Sequence, residues 1–202
     1  QSQSVIGSTN LLAVGVDDVV QAYGLRTLSL ADLSLPEVLE FARGKHFVDS
    51  RSLVARSLQD SYKKNNSLLK TVCELVEGKE GSVKFPFMIE GFSYIPDDSE
   101  GYDVAIIEQP DFRIVHDERL DGRYNGAKFN GADELGLPLF DGNGSRTWYA
   151  RKDGLSGFYL NRDSGVDSYV RDLADSNDDG RVVLRTSEAG SPQNLQEGVE
   201  VK

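Results

Sequence analysis

The stretch whose spacing comes nearest to a known chemistry is Asp175-Ser176-Asn177-Asp178-Asp179-Gly180, followed by Val182. Oxygen-bearing residues at positions one, three and five (Asp175, Asn177 and Asp179), glycine at six and an apolar residue at eight match the first half of a calcium loop. Alternate positions matter because a curving backbone directs their oxygens inward. Position twelve, where a glutamate should supply two oxygens, is Thr186, and Glu188 comes two residues too late. The plainer reading is a helix-ending turn rich in Asp, Asn and Gly. Ca2+ is the one cofactor these residues suggest.

The remaining chemistry-bearing residues form no familiar constellation. His46 and His116 are the two histidines, and Cys73 is the single cysteine, so a disulfide framework and a multi-cysteine zinc site are excluded. Cys73 falls in an apolar helical stripe and reads as a small buried hydrophobe. Glu90, Glu108, Asp111, Asp117 and Glu118 lie on or near expected strands and could supply the acid and base of a hydrolase. With 33 acids in the chain, however, some pair always looks suitable. Trp148 and Tyr149, with Phe158 and Tyr159, could form an aromatic patch for a sugar or peptide, or could be core. Asn143-Gly144-Ser145-Arg146-Thr147-Trp148 resembles the Asp-box turn of sialidase-like propellers. Asn143 stands in place of its Asp and Ser145 in place of its glycine, and the motif occurs once where blades would repeat it.

Charge divides the chain. Residues 43–70 carry seven bases against Asp49 and Asp60, whereas from Glu80 onward 24 acids face 13 bases and the whole chain balances at −11. Arg51, Arg56, Lys63, Lys64 and Lys70 are the candidates for an interaction surface on two expected helices. A short helical segment of this size invites comparison with helix-turn-helix modules, but the 62–67 linker lacks their glycine turn. The acidic remainder would repel phosphates, which argues against nucleic acid. No apolar run is long enough to span a membrane.

These residues need elements to position them. Residues 1–33 read as an arm or edge strand. Ser34-Leu35-Pro36-Glu37 is a helix start, with Ser34 as cap and Pro36 in the first turn. Leu35, Val38, Leu39 and Ala42 make its apolar face, and Gly44 stops it. A second helix is expected over 50–63 from Val54, Leu58 and Tyr62 at spacing four, and a third over 68–78 from Leu68, Leu69, Val72, Cys73, Leu75 and Val76. From Ser82 the pattern becomes strand-like. Strands are expected at 102–108 and 112–116 around a turn at Gln109-Pro110-Asp111. A hairpin is expected around Lys152-Asp153-Gly154, a short helix at 167–174 and a last strand at 181–186.

The expected fold is α+β: an N-terminal arm (1–33), a small helical bundle (34–79), an antiparallel sheet or barrel-like unit (80–187) and a loose tail (188–202). Polar ends, opposite charge on the two halves and no catalytic signature favour a non-enzymatic structural or interaction protein. It would be a subunit of a homo- or hetero-oligomer such as a virion or surface array, held together by charge, and salt or charge reversal at Lys63 and Lys64 would weaken it. A calcium- or carbohydrate-binding β module comes second and a carboxylate-based hydrolase third. The compartment is open, with soluble, virion and extracellular settings all compatible.

Overall fold

The structure, a computed structural model, describes residues 4–98, 101–169 and 172–186, apart from the side chains of residues 4–6 and 177; the expected tail at 188–202 lies outside them. The described chain runs β1 (Ser4–Ser8), α1 (Asn10–Val20), β2 (Leu25–Thr27), α2 (Pro36–Ala42), β3 (Phe47–Ala55), α3 (Asn66–Glu80) and β4 (Phe87–Pro96). It continues through β5 (Val104–His116), β6 (Lys128–Ala132), β7 (Pro138–Phe140), β8 (Arg146–Ala150), β9 (Leu155–Leu160), β10 (Val166–Ser168) and β11 (Asn177–Thr186). Mixed α and β content is therefore as expected. No helix among the described residues is long and apolar enough to cross a membrane.

The strands form a sheet curled into a half-barrel, in the order β1-β11-β3-β9-β10-β8-β6-β7, with β2 beside β11 and with β4 and β5 continuing from β3. The sheet is mixed and not antiparallel: β11 runs parallel to β3, and β10 parallel to β8. β3 is its spine. The first half lies between β11 and β9, while Leu53, Val54 and Ala55 pair with β4 on one side and β9 on the other.

Apolar side chains leave β3 on both faces. Val48 and Val54 enter a core with Leu28, Met88, Trp148 and Phe158. Leu53 and Ala55 enter a second core with Leu69, Val72, Phe87 and Leu155. Each fully buried Leu, Val or Phe contributes about 1.5–3 kcal/mol over an exposed one, so both cores hold the spine in place.

The helical bundle expected over 34–79 does not form, for two reasons. Its middle member is β3, and its outer members pack on different cores: α2 through Val38 and Ala42 on the first, α3 through Leu68, Leu69, Val72 and Val76 on the second. α2 begins at Pro36, but Ser34 does not cap it. Its hydroxyl accepts instead from Arg146 Nη1 at 3.0 Å. α3 runs past Gly78 and ends at Gly81, whose φ of +75° is a left-handed stop. α1 occupies residues expected to be extended, with Thr9 Oγ1 accepting the Leu12 amide at 2.9 Å as its cap.

Four expectations in the second half of the chain also change. β5 passes through 109–111 without a turn; among the described residues it pairs only with β4, so Pro110 sits on an edge where its missing N–H costs no ladder bond. β8 and β9 do not pair as a hairpin, because β10 lies between them. Val166–Ser168 is thus strand where a helix was expected over 167–174, and the last strand begins at Asn177.

Candidate functional site

A recess of about 130 Å³ opens beside the spine strand, lined by Ser8, Asn10, Phe47, Asp49, Tyr159, Asp172, Asp175 and Gly180. Sheet register assembles most of it. Phe47 and Asp49 share one face of β3 by strand periodicity. Tyr159 of β9 is the partner of Asp49, and Gly180 of β11 is the partner of Phe47. Gly180 brings no side chain to the lining. Phe47 and Tyr159 meet edge to face, with ring centroids 5.9 Å apart.

The opposite wall comes from the β1–α1 junction. A register shift between Ile6 and Ser8 breaks the β1–β11 ladder just before Ser8, and the Ser8 hydroxyl donates to Asp49 Oδ2. Asn10 is locked by its Nδ2, which donates to the carbonyls of Ser50 and Phe158, each at 2.9 Å. Its side chain lies over Gly157, where any Cβ would fall 1.9 Å from Asn10 Cγ. Asp172 and Asp175 come from the connection between β10 and β11.

The carboxyls in the recess are not equivalent. Burial pushes Asp49 up to about 6, with the Ser8 hydroxyl opposing it. Asp49 has a hydroxyl and no basic side chain as partner among the described residues. Burial also acts to raise Asp172, but the Ala174 amide, the Tyr62 and Tyr102 hydroxyls and Lys64 outweigh it and hold that carboxyl below its ordinary value. Tyr159 is raised by burial and by Asp167, and Asp167 is itself raised by burial. Two cations stand at the rim. Arg162 lies over the Phe47 ring at 4.7 Å and pairs with Asp179, and Lys64 Nζ is 3.9 Å from Asp172. An aromatic-walled acidic recess of this kind can accept hydrogen bonds and hold positive charge.

No protein-family model, curated protein or solved structure matches the chain. Its reading therefore rests on these residues.

The residues singled out in sequence are dispersed. Asp175 reaches the recess, whereas Asp179 pairs with Arg162, and Asn177, whose side chain is outside the described set, begins β11 opposite Ser8. The segment that was to wrap an ion is extended strand over Asn177–Thr186, and among the described residues no three His, Cys, Asp or Glu side chains are placed to hold a metal. Arg51 pairs with Asp17 and Asp111. Arg56 is buried, donating to the Leu120 carbonyl and the Ser156 and Ser168 hydroxyls; burial, followed by nearby Arg151, pushes its guanidinium down to about 9. Lys63 and Lys64 sit in the turn before α3, and Lys70 is 3.8 Å from Glu74 on α3. Trp148 is fully buried against Phe158, so of the expected aromatic patch Tyr149 is the member at the surface.

The carboxylates considered for hydrolysis are each engaged elsewhere. Glu90 pairs with Arg113, Glu108 with Lys79, Asp111 with Arg51, Asp117 with Arg119 and Glu118 with Arg123. Cys73 is buried, and burial pushes its thiol up to about 11, away from a nucleophile's range. Sequence reasoning missed Ser8, Asn10, Phe47, Asp49 and Asp172, whereas it names Tyr159 as a member of the aromatic patch. The one signal was Asp49, one of two acids, with Asp60, in the basic stretch 43–70.

Proposed function

We propose that the protein is a non-enzymatic interaction module whose recess receives a basic side chain, a lysine ammonium or an arginine guanidinium, from a partner protein. The observation that carries this reading is Asp49: an acid raised to about 6 by burial, lining an open recess, with a serine hydroxyl and, among the described residues, no basic side chain as its partner. Ionising such a group is costly, and an arriving cation offsets that cost. Asp172 and Asp175 add acceptors, and Tyr159 and Phe47, whose ring already carries Arg162, supply apolar wall to line the stem of a long basic side chain. A recess of about 130 Å³ suits the end of one side chain better than a whole drug-sized ligand.

The test is calorimetric titration with a short uncharged peptide carrying one lysine, against the same peptide with norleucine. The lysine peptide binds, salt weakens it, and Asp49→Asn reduces its affinity by about tenfold, the equivalent of one lost charge-assisted contact. Equal binding of the norleucine peptide, or no binding of either at millimolar concentration, overturns the reading.

A further inference from the structure

A second concavity, of about 240 Å³, is lined by Arg26, Ser29, Arg51, Glu90, Asp111 and Arg113. It has the opposite character to the recess. Three guanidiniums converge in a chain whose net charge is −11, and two strand irregularities place them. β3 shifts register against β9 between Asp49 and Leu53, where Arg51 lies, and β4 shifts against β5 between Glu90 and Phe92. Gly91 takes the second bulge with a φ of +68°, and a Cβ there would lie 2.3 Å from the Asp111 carbonyl oxygen. Bulges re-aim side chains and concentrate beside functional sites.

The arginines are held, but not all of their donors are used. Arg51 Nη1 binds Asp17 at 2.5 Å. Arg113 binds Glu90 through Nε at 2.9 Å and through Nη2. Glu90 is itself fixed by the Ser52 hydroxyl and by the Leu30 amide at 3.3 Å. The weak link is Asp111. Its carboxylate is 57% exposed and touches Arg51 Nη2 at 3.5 Å, the outer limit of a hydrogen bond. Arg113 Nη1 carries no hydrogen bond to any described residue and belongs to a side chain 45% exposed.

With Arg185 and Arg26 both on Asp32, four guanidiniums face four carboxylates: Asp17, Asp32, Glu90 and Asp111. When Asp111 turns to solvent, four guanidiniums face three carboxylates, so the cluster carries one excess positive charge, and Arg51 Nη2 loses its Asp111 contact beside the open Arg113 Nη1. We propose that this cleft binds a small oxyanion, a carboxylate or phosphate group, received by Arg51 and Arg113 in the place Asp111 occupies. Guanidiniums are suited to this because their planar N–H pairs match an oxyanion's oxygens.

The experiment is an NMR titration of the whole chain, following arginine side-chain and backbone resonances, with inorganic phosphate, acetate and chloride in separate arms. Phosphate or acetate should give saturable shifts at Arg51 and Arg113 that chloride at equal ionic strength does not. The tighter of the two oxyanions identifies the group. Asp111→Ala removes the internal competitor and should tighten binding about threefold, whereas Arg113→Gln should weaken it about tenfold. Asp111 is exposed, so its variant remains informative even where Arg113→Gln perturbs folding. Absence of saturable shifts with both oxyanions, or unchanged affinity in Asp111→Ala, overturns the proposal.

Discussion

Asp49 and Asp172 line one recess, yet their carboxyls are displaced in opposite directions, Asp49 up to about 6 and Asp172 below its ordinary value. Burial acts on both. The difference lies in the donors: Asp49 receives one hydroxyl, from Ser8, whereas Asp172 receives two tyrosine hydroxyls and an amide, with Lys64 nearby. A recess holding an ionised acid beside one that titrates close to neutrality has an affinity for cations that depends on pH.

Asp49 also makes stability depend on pH. Its folded value lies above the ordinary 3.8, so the stability it contributes is fully present below about pH 4 and is lost as pH rises to about 6. Asp49→Asn, neutral throughout and still able to accept from Ser8, should therefore match the wild type near pH 4. At pH 7 it should exceed it by about 1–2 kcal/mol, allowing for the carboxyl's partial exposure. Urea denaturation at the two pH values checks this. Asp172→Asn should behave oppositely, losing stability at pH 7, because a lowered carboxyl stabilises above 3.8 and ceases to do so as pH falls.

Lys64 distinguishes the recess from an assembly surface built on basic residues. It stands 3.9 Å from Asp172 and 4.7 Å over the Tyr102 ring, where it competes with an incoming cation. Lys64→Ala should strengthen binding of a lysine peptide by about twofold to threefold. If Lys64 were instead itself the contact to an acidic partner, its removal would weaken binding. Calorimetry on the variant reads the sign directly.

Arg151 and Asp60 form an ion pair at 2.5 Å in which both side chains are nearly inaccessible. Asp60 also accepts from the amides of Tyr62 and Leu155 and from Asn65 Nδ2, tying the turn before α3 to β9. Arg151→Met leaves that carboxylate buried without its cation and should cost about 3–5 kcal/mol. Adding Asp60→Asn should recover part of the loss, as thermal or urea melts of the single and double variants would reveal.

Gly157→Ala tests the wall of the recess. The new methyl would overlap Asn10 and displace a side chain that satisfies two buried carbonyls. The expected loss is about 2–4 kcal/mol in a denaturant titration, together with weakened peptide binding. Unchanged stability would mean that Asn10 has room to move.

The sequence was most legible where structure is local. α2 and α3 follow from apolar spacing, with Leu35, Val38 and Ala42 on one and Leu68, Val72 and Val76 on the other. β3 was misread because Val54, Leu58 and Tyr62 fall at helical spacing. The strand's own period is hidden by Ser50 and Ser52, polar residues buried because Phe158 and Glu90 accept their hydroxyl protons. Leu58, which seemed to continue a helical stripe, is 69% exposed. The β8–β9 hairpin failed for a long-range reason, since turn signals at 152–154 cannot reveal that Val166–Ser168 will slot between the two strands. The recess was invisible for the same reason: Ser8, Asp49, Tyr159 and Asp172 meet only through the parallel β3–β11 pairing and its neighbours. The 175–180 segment runs into a strand from Asn177, and Asp179 is paired with Arg162.

The measurement that bears most directly on the central claim is a carboxyl-carbon NMR titration of Asp49, with and without a saturating lysine peptide. The account predicts a midpoint near 6 in the free protein that falls by about one unit when the ammonium occupies the recess. A midpoint that stays in place with peptide bound, or one near the ordinary carboxylate value in the free protein, would contradict it.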